Sequence, residues 1–267
     1  MERIPAVAGW HWIKHGFALF RRQPGELSTL FIMYCGLNLL LSVAQELAVI
    51  LWFTLIPVFS MAFMTACRDI ERDQRVHPRL LFAGFRNPAF KRLLLLGACY
   101  LAAMIIAVLV ANFSDDGYLF KAILDQVNNP PAADAKVPED LRLVKSLLVL
   151  AGFYLASILP LFFATPLIAW QNMSVGKAIF FSFFTVVRAI KAFAVYGVCW
   201  FLITVIGRLV IGAVLELLGA DNAELGLFFL MPLSLVLTLV MNCSHYACYT
   251  QIFGSPELPE PSEKLPD

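Results

Sequence analysis

Long uncharged runs, separated by short charged segments, set the pattern of this chain. From Leu27 to Cys67 the only formal charge is Glu46. A helix needs about 20 residues to cross the hydrocarbon of a bilayer, so this run fits two spans folded back to back. "QE" at 45–46 marks the turn, giving spans 27–45 and 47–67. Four further runs follow at 93–113, 146–170, 192–215 and 225–253; Arg208 is the one basic residue inside them. The expected fold is therefore all-α, a polytopic bundle of six transmembrane helices. Residues 1–254 form one membrane domain, and 255–267 form a disordered tail rich in Pro and Glu.

A second pattern is superposed on the spans. "FALFRRQP" at 17–24 and "FAGFRNP" at 82–88 repeat a phrase of Phe, Phe, Arg and Pro, each time just ahead of a pair of runs. Before the first pair, Trp10, Ile13, Phe17 and Phe20 share one helical face, with His11, His15 and Arg22 on another. Before the second, Leu81, Phe82 and Phe85 stand beside Arg79 and Arg86. Before the third, residues 174–193 begin with Ser174 as N-cap and set Lys177, Arg188 and Lys191 against a Phe-rich surface. The even-numbered spans each carry one helix-breaking proline, Pro57, Pro160 and Pro232. The chain thus reads as three repeats of interfacial amphipathic helix plus transmembrane hairpin.

Composition agrees with a membrane as solvent. The chain is 60% hydrophobic and 15% charged, with mean hydropathy +0.77. Soluble domains are nearer half apolar and a quarter charged. A net charge of +1 gives no global field toward nucleic acid, which is not expected as a partner. The distribution of charge is more telling. Residues 1–26, 68–92, 171–191 and the tail hold 15 of the 20 Lys and Arg. The opposite side has the acidic loop 114–145, in which 118–127 is expected to form a short interfacial helix and 128–140 to be unstructured. The positive-inside rule then puts both termini in the cytoplasm of a multi-pass bacterial inner membrane protein.

The phrases "GWHWIKHGFALFRRQP" at 9–24, "ACRD" at 66–69 and "LFAGFRNP" at 81–88 resemble an uncharacterised family of proteobacterial transmembrane proteins. More distantly, the helix-plus-hairpin arrangement is similar to the membrane region attached to some glycerophosphodiester phosphodiesterases. The resemblance implies a six-span inner membrane protein. It implies no catalytic residue, because the hydrolase domain has no counterpart in this chain.

Candidate chemistry is sparse. His11 and His15 have a spacing that can hold one metal ion, but no third ligand is near and no Glu lies between them. A polar helix face is the favoured reading. Cys243, His245 and Cys248 gather at the end of the last span, near Cys67 in expected depth. They suggest a soft-metal site or, in the favoured reading, small polarizable groups at a helix interface. No catalytic triad or nucleotide fingerprint is evident, so neither an enzyme nor a cofactor or metal is expected. Arg208 has its outer-depth partners in Glu46 or Glu216, or else in headgroup phosphate. The candidate lipid-headgroup contacts are Arg21, Arg22, Arg86, Arg92, Lys177 and Arg188, with Arg79, Lys91 and Lys191 beside them, and Trp10 and Trp12 anchor the first helix at headgroup depth. The partner is thus the phospholipid bilayer, with anionic headgroups on the cytoplasmic side. The favoured function is a non-enzymatic, lipid-contacting or membrane-organising module; the alternative is a passive or substrate-specific transporter with a path lined by the proline-broken helices.

Overall fold

Apolar runs of this length become helices because a backbone in hydrocarbon must satisfy its own hydrogen bonds. The computed structural model describes residues 4–43, 46–122, 141–217 and 223–256. The described residues are all helix, turn and connecting coil. The principal α-helices are α1 (Ala8–Arg22), α2 (Pro24–Ser42), α3 (Glu46–Glu71), α4 (Phe90–Ser114), α5 (Leu141–Ile158), α6 (Ala164–Trp170), α7 (Val175–Arg188), α8 (Ile190–Leu217) and α9 (Ala223–Phe253). Among the described residues, six segments are long and apolar enough to cross a membrane: α2, α3, α4, α5 with α6, α8 and α9.

The hairpin of the first two spans is present. α2 stops at Ser42 and α3 starts at Glu46. Pro57 and Pro232 lie inside continuous helices, α3 and α9. Pro160 does more: a 3-10 turn, Leu159–Leu161, interrupts the fourth span between α5 and α6. Proline removes a donor and crowds the preceding turn, so a change of helical register there is the expected result.

The three pre-span segments differ. α1 and α7 are full helices, but the second segment has only a 3-10 turn, Pro78–Phe82, and then turns until α4 begins at Phe90. Gly84 and Pro88 explain the break. A Cβ at Gly84 would meet the Val58 carbonyl of α3, and the ring of Pro88 keeps Asn87 out of the helical region. The Asn87 side chain instead accepts the Ala89 N–H at 2.8 Å, which starts α4. The expected helix at 118–127 is formed at 118–122; its remainder, the acidic segment and the tail from 257 lie outside the described residues.

The buried face of α1 is rotated from the expected one: Ile13 is buried and Phe17 and Phe20 pack partly against the core, but Trp10 is exposed. The buried residues are Ala8, Gly9, Trp12, Ile13, Gly16 and Leu19, which pack on α8 and α9. Trp12, expected at headgroup depth, is 1% exposed and donates its indole N–H to Gln251 of α9. The reason is backbone proximity. Gly9 lies against the Ala192 carbonyl of α8, and a Cβ on Gly16 would fall 2.7 Å from the Ser244 nitrogen of α9. Small residues let helices approach closely in membranes, and in α1 Gly9 and Gly16 set the rotation that buries Trp12, Ile13 and Leu19 beside them.

Packing is concentrated at one end. In α2 the buried residues are Leu27 and Leu30; in α8 they are Ala192, Tyr196 and Trp200. The buried residues of α3 lie from Pro57 onward and those of α9 from Leu239 onward. One continuous core joins these with α1, α6 and α7. The other halves of the same helices turn Leu39, Leu40, Val49, Ile50, Leu209 and Val210 outward. The molecule is therefore tight at the end that carries α1, the 72–89 loop and α7, called the polar end below.

Candidate functional site

The polar end is held together by the charged phrases that precede the spans. Between α1 and α2, the Gln23 amide donates to the Gln74 carbonyl at 2.8 Å, and its oxygen accepts the Val76 N–H at 2.9 Å. One side chain thus satisfies two backbone groups of the loop after α3. Arg22 reaches the Ile70 carbonyl and Asp73, each at 3.5 Å, and Arg75 pairs with Glu26 at 3.5 Å. Such exposed pairs contribute little on their own. Asp73 itself takes a positive φ of 56°, as a residue closing a helix often does. At the start of α4, Arg92 donates to the carbonyls of Asn172 at 2.7 Å and Met173 at 3.1 Å, and also to the Asn172 side chain. Arg72 bonds the Pro256 carbonyl just past α9.

These contacts sort the candidate headgroup ligands. Arg22 and Arg92 spend guanidinium donors on the protein, so part of their role is to close loops. Arg21, Arg86, Lys177 and Arg188 are exposed, and among the described residues they have no ion-pair partner. Lys177 lies 5.9 Å over the Phe181 ring. The sequence pattern gives no sign of Gln23. An uncharged residue between two helices carries no periodicity, and only its place in "RRQP" could have flagged it.

α7 is built to be half in the protein and half out. Val175, Ala178, Ser182 and Val186 are buried at helical spacing. The Ser182 hydroxyl accepts the Phe163 N–H at 2.9 Å, which docks the helix on the break after Pro160. Its other face exposes Phe180, Phe181, Phe183, Phe184 and Val187, the first by 60%. Ser174 stands at the N-cap with extended backbone, as expected, but its side chain makes no capping bond.

Several buried polar groups in the core are satisfied pairwise and point different ways, while the Trp200 indole N–H is buried without a partner among the described residues. Cys67 and Cys243 meet at 3.4 Å, at the common depth expected for them. His245 bonds the Phe162 carbonyl at 2.9 Å and sits 4.3 Å from that residue's ring. Tyr246 donates to Glu71 at 2.6 Å, and Tyr196 pairs with Ser244 at 2.7 Å. Cys243, His245 and Cys248 do not converge: among the described residues no three His, Cys, Asp or Glu side chains are placed to hold a metal ion. His11 and His15 instead border an open depression of about 620 Å³ with Lys14, Glu71, Thr250 and Gln251.

At the far end, Arg208 borders a cleft of about 430 Å³ between α8 and α9. The guanidinium is exposed, and among the described residues it has no carboxylate partner. Glu216 lies eight residues on, about 12 Å along the same helix, which is too far to pair. The Glu46 side chain lies outside the described residues.

A probable inner membrane protein of Burkholderia thailandensis is 32% identical over 269 residues, covering 98% of each chain. The chain belongs to this inner membrane protein family. The six apolar helices among the described residues and the relative both fit an integral, multi-pass membrane protein. No family profile matches the chain, and no solved structure matches it. The likeness to the membrane region of glycerophosphodiester phosphodiesterases finds no support in these comparisons.

Proposed function

We propose that this protein is a non-enzymatic, lipid-contacting module of the inner membrane whose polar end faces the cytoplasm and gathers anionic phospholipid. One observation carries the reading. α7 turns five apolar side chains, four of them Phe, away from the protein, while Lys177 and Arg188 near its two ends have no acidic partner among the described residues. A helix of this kind lies in the interface plane, with Phe in the acyl boundary and the cations at phosphate depth. Arg21 and Arg86 continue the same belt from α1 and the loop before α4. Each such residue near an anionic leaflet contributes about 1 kcal/mol, within a Debye length. The three pre-span segments are, on this reading, variations on one repeated unit, of which the second has lost its helix. A continuous apolar core beneath the belt also favours lipid contact over a hydrated path.

The test is lipid analysis of the purified protein by native mass spectrometry after mild extraction. Anionic lipid should be enriched over zwitterionic lipid. Replacing Arg21, Arg86, Lys177 and Arg188 together by Gln should abolish most of the enrichment while insertion survives. Equal retention of both lipid classes by the unmodified protein would leave these residues with a purely topological role.

A further inference from the structure

The cleft at Arg208 lies far from the polar end and is built differently. Its walls are Trp200, Thr204 and Arg208 of α8, facing Leu233, Leu237 and Met241 of α9. Three hydroxyls are nearby, yet each spends its proton on its own helix. Thr204 donates to the Trp200 carbonyl at 2.9 Å, Ser234 to Met231 at 2.8 Å and Thr238 to Ser234 at 2.7 Å. Two donors are left at the cleft: the buried indole N–H of Trp200 at its deep end, which has no partner among the described residues, and the charged guanidinium of Arg208 at the other end of the apolar groove. Gly207 lets Leu233 approach, and a Cβ there would meet it at 3.1 Å.

We propose that this cleft is a phospholipid site of the leaflet opposite the polar end, taking one acyl chain in the groove and an anionic headgroup at Arg208. Three considerations fix that occupant. Charge is the first: a guanidinium with five donors matches phosphate oxygens, and a neutral lipid chain offers it no acceptor. Depth is the second. Arg208 lies 18 residues along α8 from its start at Ile190, about 27 Å, close to the whole hydrocarbon thickness of about 30 Å. Its long stem can then carry the charge to the far headgroups. Length is the third. From Leu230 to Met241 the groove wall runs 11 residues of α9, about 16 Å, or one leaflet. Trp200 closes the deep end, where the helices enter the tight core.

The site is independent of the cytoplasmic belt, and the experiment keeps the two apart. The full chain is reconstituted in nanodiscs with a phosphatidylglycerol probe bearing a diazirine on one acyl chain, and crosslinked peptides are mapped. A phosphatidylcholine probe of the same chain is the comparison. Adducts should fall on the 230–241 segment, at least five-fold more with the anionic probe. Arg208→Gln should cut that preference to near unity, while Arg208→Lys keeps most of it. Leu237→Trp, which fills the groove but leaves the charge, should remove the adducts from both probes. Gln at Arg21, Arg86, Lys177 and Arg188 should leave cleft labelling unchanged. Equal labelling by the two probes, or a preference that survives Arg208→Gln, would overturn the headgroup assignment. Adducts unaffected by Leu237→Trp would overturn the groove.

Discussion

Gly97 sits where α4 crosses α3 so closely that a Cβ there would strike the Thr54 carbonyl. Gly36 of α2 has nothing within 4 Å of the same hypothetical atom. Overpacking in a filled interface costs about 1–3 kcal/mol, whereas a glycine in an open helical position costs about 0.5–1 kcal/mol relative to alanine. Gly97→Val should therefore lower the thermal unfolding midpoint in detergent by several degrees, and Gly36→Ala should leave it level or raise it slightly. At the far end, Asp115 shows a different residue-scale effect. The Ser146 hydroxyl, and beyond it the N–H groups of Leu119, Gly117 and Tyr118, hold its carboxyl below the ordinary value of 3.8, with desolvation opposing. A carboxylate with a depressed folded pKa stabilises above its unfolded pKa, and that contribution is lost as pH falls through the folded value. Amide protection at Gly117 and Leu119 should thus hold at neutral pH and fall below about pH 4. Protection that rises on acidification would contradict the assignment.

At the scale of elements, the spans were legible because hydrocarbon leaves the chain little choice. The expected runs at 93–113 and 192–215 became α4 and α8, each extended by one to three residues at its ends. The buried face of α1 was not legible. Periodicity weighs large apolar side chains, and it ranked Trp10 and Phe17 above the Gly9 and Gly16 contacts that fix the rotation of the helix. The break at Pro160 was visible as a proline, but the sequence does not distinguish it from Pro57 and Pro232, which helices absorb. The belt was legible in part: charge asymmetry pointed to Arg92 without revealing that it closes the loop after α6. Gln23 was invisible, and it carries an element-scale prediction. Gln23→Ala removes both of its bonds to the 74–76 loop, at about 0.5–1.5 kcal/mol each. Limited proteolysis should then cut within 72–77 faster than in the unmodified protein, with little change elsewhere. An unchanged cleavage rate would show that the loop is held by other contacts.

For the whole molecule, the division into a tight polar end and an open far half has a direct physical meaning. Lipid tails are as apolar as leucine, so helices in a bilayer need not bury their apolar faces against one another. The far halves of α2, α3 and α8 can be solvated by acyl chains, while the polar end is locked by α1, Gln23 and Arg92. The proposed orientation, polar end in the cytoplasm, rests on the excess of Lys and Arg at that end. In a cysteine-free background, a cysteine replacing Arg75 should react only with membrane-permeant reagents in intact cells, and one replacing Asp116 should react with impermeant reagents. The opposite pattern would reverse the orientation and move the belt to the other leaflet. The central claim, that this end gathers lipid around a dry core, is tested most directly by a cryo-EM structure in nanodiscs of mixed anionic and zwitterionic lipid. The account predicts headgroup density at Lys177, Arg188 and Arg86, acyl chains between the far halves of the helices, and no water through the middle. A continuous hydrated path along Pro57, Pro160 and Pro232, with the belt standing clear of the phosphate plane, would contradict it and point to transport.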